Sequence, residues 1–142
     1  MTEEISITVC GEPVGKGRPR FSRSGPFVRA YTPQKTASFE NLVKLEYEYQ
    51  AKNFRFDDND MLDLRVIAYF SIPRSISKSK RKMMLDGQIR PTKKPDSDNI
   101  LKAVADALNQ VAYRDDKQIV DTQVRKFYSE TPRTVISIRK AE

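Results

Sequence analysis

From Leu62 to Ile72 the chain alternates without a break: Leu62, Leu64, Val66, Ala68, Phe70 and Ile72 are apolar, and Pro73 follows. In an extended chain every second side chain faces the same way, so this run is a strand with one face on a core. Proline lacks the N–H that a ladder needs and ends it. A shorter alternation, Ile5, Ile7 and Val9, predicts a first strand over 5–9. Residues 11–19 read as turn material and 27–31 as a short strand. Thr32 and Pro33 open a predicted helix that runs to about Lys52, with Thr32 as N-cap and Pro33 at the first helical position. Its expected core stripe is Phe39, Leu42, Val43, the methylenes of Glu46, and Tyr49. An acidic loop is expected over 53–61, and a short basic helix over 77–87, capped by Ser77 and stopped by Gly87. A connector follows over 91–95, then a helix over 97–111. Strands over 118–128 and 133–140 close the chain and are expected to pair as a hairpin across Ser129 to Pro132. No linker or repeat divides the 142 residues. The expected fold is therefore one domain, 1–142, of α+β class: a mixed sheet of about four strands with two main helices packed on it.

Composition narrows the chemistry. The chain has no histidine, which excludes a histidine zinc site, a histidine general base and a Ser-His-Asp triad. Any metal would be held by oxygen, which favours magnesium or manganese. The single cysteine, Cys10, allows no internal disulfide and fits the cytoplasm. Apolar runs are too short to span a bilayer, and the acidic start, Met1 to Glu4, lacks a leader pattern. Net charge is +7, and the excess is uneven. Lys16, Arg18, Arg20, Arg23, Arg29 and Lys35 crowd residues 11–35. Arg74, Lys78, Lys80, Arg81, Lys82, Arg90, Lys93 and Lys94 crowd residues 74–94. Two basic blocks suit contact with a phosphate backbone, although a solvated basic surface would look the same.

Acids gather where the basic blocks end. Stepping 100° per residue along the predicted helix puts Ile100, Leu101, Val104, Ala105, Leu108 and Val111 on one arc. Asp98, Lys102, Asp106 and Asn109 fall on the opposite side. Asp96 lies just before the helix, and Asp115 and Asp116 follow it. Magnesium prefers about six oxygens and takes only a few from carboxylates. Asp96 and Asp98, with one acid of the Asp115-Asp116 pair, supply that number. Such a cluster can hold two ions about 4 Å apart, one activating water and the other stabilising the leaving oxygen of a phosphodiester. Lys102 would then offset charge at the scissile phosphate. Each residue also has a plainer account: Asp96 or Asp98 as a helix cap, Asp98 with Lys102 and Lys102 with Asp106 as i,i+4 ion pairs, and Asp115-Asp116 as a turn.

Taken together, Lys94-Pro-Asp-x-Asp-Asn-x-x-Lys102, Asp106-Ala-Leu-Asn109 and Tyr113-x-Asp-Asp116-x-Gln-Ile119 resemble the signature of the RusA-like Holliday junction resolvases, which are frequent in phages and prophages. Gly11-Glu-Pro-Val-Gly-Lys16-Gly-Arg18-Pro-Arg20-Phe21 and Tyr31-Thr-Pro33 resemble the opening motif of one branch of that family. The resemblance implies a magnesium-dependent endonuclease, with manganese possible, that acts as a symmetric homodimer on four-way branched DNA by paired nicks. It carries over as catalytic residues Asp96, Asp98, Lys102 and Asp116, with Asp96, Asp98 and Asp116 as metal ligands and Asp115 as a further, adjacent candidate ligand. Gln110 departs from the pattern, since relatives often have glycine there. Lys16, Arg18, Arg20, Lys78, Lys80, Arg81, Lys82, Lys93 and Lys94 are the candidate DNA contacts. Phe21, Phe27 or Tyr31 are candidates to wedge at the crossover, and equally candidates for the core or an interface. Two other readings stay open. One is a non-catalytic basic DNA-binding module whose acids are caps and ion pairs. The other is a metal-dependent nuclease of flaps or structured RNA.

Overall fold

A computed structural model describes residues 4–142; Met1, Thr2 and Glu3 of the acidic start lie outside the described residues. The chain forms β1 (Glu4–Cys10), β2 (Arg20–Ser24), β3 (Phe27–Tyr31), α1 (Gln34–Gln50), β4 (Leu62–Ser71), α2 (Lys78–Leu85), α3 (Ser97–Leu108), a single 3-10 turn (Asp116–Gln118), β5 (Ile119–Ser129) and β6 (Arg133–Lys140). The class is α+β, as the alternation predicts. A four-stranded mixed sheet has the order β1-β6-β4-β5, and β2 and β3 form a separate two-stranded sheet.

The expected hairpin between the last two strands does not form. β4 lies between them, antiparallel to β6 and parallel to β5. The reason is burial. β4 is the most regularly apolar strand, and Leu62, Leu64, Val66, Ala68 and Phe70 are all essentially inaccessible, which a central position achieves. The link Glu130–Pro132 steps over the end of β4. Four Cα steps reach about 15 Å, against roughly 10 Å between strands two apart, so the span is unstrained.

α1 and α3 cover one face of the sheet. α3 buries Ile100, Ala103, Val104, Ala105, Ala107 and Leu108. On α1 the buried stripe is Thr36, Phe39, Val43 and Tyr47, spaced as successive turns of one face. Leu42 and Tyr49, expected in the core, are exposed, and Tyr47 takes the place of Tyr49. The Tyr47 hydroxyl donates to the Phe54 carbonyl at 2.9 Å, so this aromatic enters the core with its polar end satisfied. Pro33, not Thr32, holds the N-cap position of α1. α2 begins as expected, with the Ser77 hydroxyl accepting from the Lys80 N–H. The outer edge of β1 is closed by one side chain: Gln50 accepts from the Thr8 N–H at 2.9 Å and donates to the Thr8 carbonyl at 2.8 Å. That amide stands in for a neighbouring strand. Among the described residues, no helix is long and apolar enough to cross a membrane.

Candidate active site

α3 carries Asp98 and Lys102 on the side away from its buried stripe. Asp96 occupies the N-cap position of α3 but makes no capping bond with its side chain. Asp98 lies in the first turn and is exposed. Among the described residues neither acid enters an ion pair, so neither is explained as a cap or as a partner of Lys102. Lys102 pairs along the helix instead, its ammonium 3.2 Å from Asp106 Oδ1.

Asp116 reaches the same place through a pinned loop. Asn109 ends α3, and Gln110 takes a left-handed conformation at φ 66°. A glycine would adopt that angle without strain. Tyr113 then plunges into the core and donates to the Ala105 carbonyl at 2.7 Å. The Asp116 N–H donates to Asn109 Oδ1 at 2.9 Å. Gln118, buried, secures the far side: it accepts from the Arg114 and Asp115 N–H groups and donates to the carbonyls of Asp57 and Asp60.

Asp98, Lys102 and Asp116 thereby line one pocket of about 240 Å³, with Leu101, Ala105, Ile119 and Thr122. Burial first, then the neighbouring Asp115 carboxyl, raise the Asp116 pKa above its ordinary value, while Lys102 pulls it down. Asp115 is employed differently. It caps the 3-10 turn by accepting from the Lys117 N–H at 2.9 Å, within a reciprocal box with Gln118. That backbone bond is the main reason its pKa falls below the ordinary value. Asp115 also lines a second hollow with Asp58, Asn59 and Arg114, while its carboxyl lies against that of Asp116.

Asp96 stands at an adjoining cleft of about 770 Å³, where Lys16, Arg18, Arg20, Lys35 and Lys94 supply five cations. The structure thus unites Asp98, Lys102 and Asp116 in one pocket, sets Asp96 at the basic cleft, and gives Asp115 a capping role next to Asp116. Among the described residues, no three acids converge closely enough to hold an ion together. The donors are all carboxylate oxygens, however, and Asp98 and Asp116 face one pocket with no ion pair of their own. That set fits a hard divalent cation taking its remaining oxygens from water and phosphate.

The remaining cations divide. Lys78, Lys80 and Lys82 are exposed on α2, and Lys93 and Lys94 precede α3. Arg81 is engaged with Glu130 at 2.7 Å. Lys16 is engaged too, its ammonium 2.7 Å from Glu40 and 3.2 Å from Asp106. One cation was missed from sequence. Lys126 extends from the helix-side phase of β5, donates to the Lys93 carbonyl at 2.6 Å and lies 5.1 Å from the centre of the Phe70 ring. Burial lowers its pKa below the ordinary lysine value, while nearby Asp96 opposes this. The available signal was its place in the period of two between Val124 and Tyr128.

Comparison with known proteins shows the family. The family model described as Endodeoxyribonuclease RusA matches residues 11–139, a span that includes Asp96, Asp98, Lys102, Asp115 and Asp116. The uncharacterized protein YqaN of Bacillus subtilis (strain 168) is 42% identical over 138 residues, covering 96% of each chain. The family-model match across nearly the whole length places this chain in the RusA endodeoxyribonuclease family.

Proposed function

We propose that the protein is a magnesium-dependent endonuclease, with manganese able to substitute, that resolves four-way DNA junctions by paired symmetric nicks as a homodimer. It would serve recombination and repair in the cytoplasm. The observation that carries this reading is the shared pocket of Asp98, Lys102 and Asp116 beside a five-cation cleft, in a member of an endodeoxyribonuclease family.

Asp98 and Asp116 are the residues that would hold the metal in that pocket, and Asp96, the third acid of the family signature, stands at the basic cleft. When bound, the cation supplies Lewis-acid stabilisation and a more acidic water. The chain's own contribution is placement. Lys102 offsets charge that builds on the phosphate, and the pinned loop from Asn109 to Gln118 keeps Asp116 opposite α3. Arg18, Arg20, Lys35 and Lys94 suit a backbone lying in the cleft, with the exposed lysines of α2 as a second grip. A dimer suits a substrate whose strands are related by symmetry, because two sites about a two-fold axis can nick both. The exposed Leu45 and Tyr49 on α1 offer apolar surface for such a contact.

The test is a gel assay on a synthetic mobile four-way junction, beside linear duplex and a flap, with and without magnesium. Paired nicks confined to the junction and dependent on the metal are expected. Preferential cutting of the flap would keep the site and overturn the substrate. Binding without cleavage in magnesium or manganese would make the chain a DNA-binding module.

A further inference from the structure

Lys102 is a long side chain, and in this structure it is mostly exposed. A free lysine carries considerable rotamer entropy, so one that must meet a phosphate gains from being held in advance. Its only acidic contact among the described residues is Asp106, at 3.2 Å from Oδ1. The second oxygen of Asp106 is 3.2 Å from the Lys16 ammonium, which also donates to Glu40 Oε1 at 2.7 Å. Glu40, Lys16 and Asp106 keep 14%, 22% and 20% of their side-chain surface exposed, so the carboxylate is gripped from behind. Burial alone would lower the Lys16 pKa, but the two carboxylates outweigh it and raise it above its ordinary value.

The backbone around Lys16 is built for this. The Lys16 N–H donates to the Asn99 carbonyl at 2.8 Å. Thr36 clips the loop on both sides, its hydroxyl donating to the Gly15 carbonyl and accepting from the Gly17 N–H. A Cβ at Gly15 would come within 2.7 Å of Pro95, and one at Gly17 within 2.9 Å of Pro33. Only glycines let the loop lie this close to the starts of α1 and α3.

We propose that Lys16, which lies among cations that suit DNA, is a positioning residue: clamped by Glu40, it fixes Asp106, and Asp106 holds the Lys102 ammonium at the Asp98–Asp116 pocket. This rests on the nuclease reading of that pocket. Lys16 and Asp106 act through Lys102, so their loss should slow the chemical step and leave DNA affinity in place.

The test is single-turnover cleavage of a saturating four-way junction in magnesium, with the junction Kd measured separately in calcium. Lys16→Met should lower the rate about 10-fold or more, as a small misplacement of a reacting group does, with Kd within about 2-fold of wild type. Lys16→Arg, which can still bridge both acids, should recover most of the rate. Lys16→Met added to Lys102→Ala should cost nothing further. A weaker Kd with an unchanged rate at saturation would make Lys16 a phosphate contact, and multiplicative losses in the double variant would also overturn the proposal. A readout independent of cleavage is the 15N NMR signal of the lysine ammonium groups in the full-length protein. Asp106→Asn should move the signals of both Lys16 and Lys102; a Lys102 signal left in place would refute the coupling. If wild type fails to cut the junction, the nuclease reading falls while this NMR result still decides the network.

Discussion

The carboxylate pocket and the β2–β3 hairpin are built on opposite terms. The pocket stands on α3 and on a loop whose Tyr113 and Gln118 are buried. In the hairpin every residue of β3 is exposed, and Phe21, Phe27 and Val28 keep 70%, 75% and 60% of their surface in contact with solvent. Chemistry on a phosphodiester needs groups held within fractions of an ångström, which only packed elements provide. A protruding arm has no such requirement, and its apolar side chains are available to a partner. The contrast implies that changes at the pocket should act on rate, and changes in the hairpin on binding alone.

The largest effect should come from Lys102→Ala. It should slow single-turnover junction cleavage about 10²- to 10³-fold while binding persists, the scale of losing one group that meets developing charge. Equal losses in rate and binding would make Lys102 a grip and blur the division. Next in size is stability. Leu64→Ala should cost about 2–5 kcal/mol in chemical denaturation, because β4 is central and this residue is fully buried. Phe27→Ala should change it by less than about 0.5 kcal/mol, as at a surface position. A cost for Phe27 near that of Leu64 would mean that the hairpin is packed after all. The smallest effect concerns pH. Burial pushes the Tyr47 pKa up to about 12 from an ordinary 10.0. The unfolded chain loses this proton first, so it binds fewer protons than the fold between those values and stability declines across that window. Tyr47→Phe should flatten the decline from pH 10 to 12 in thermal melts; an unchanged slope would assign it to other groups.

Much of this was legible in the sequence, for identifiable reasons. Alternation placed β1 and β4, and the helical arc separated the core of α3 from Asp98 and Lys102. Strand partners were not legible, because nearness in sequence favours a hairpin and only the burial of β4 decides otherwise. On α1, Leu42, Leu45 and Tyr49 are as apolar as Phe39 and Val43, so hydrophobicity could not tell core from free surface. Lys16 was legible as a cation, but its partners Glu40 and Asp106 are remote in sequence. Asp115 did carry a local sign of its capping role, because an acid three residues before Gln118 is a capping pattern.

The central claim is that the pocket of Asp98 and Asp116 cuts DNA. Its most direct test is Asp116→Asn, a near-isosteric change, assayed for single-turnover junction cleavage in magnesium with Kd measured in parallel. The account predicts cleavage slower by about 10³-fold or more with Kd nearly unchanged. Cleavage at the wild-type rate would contradict it.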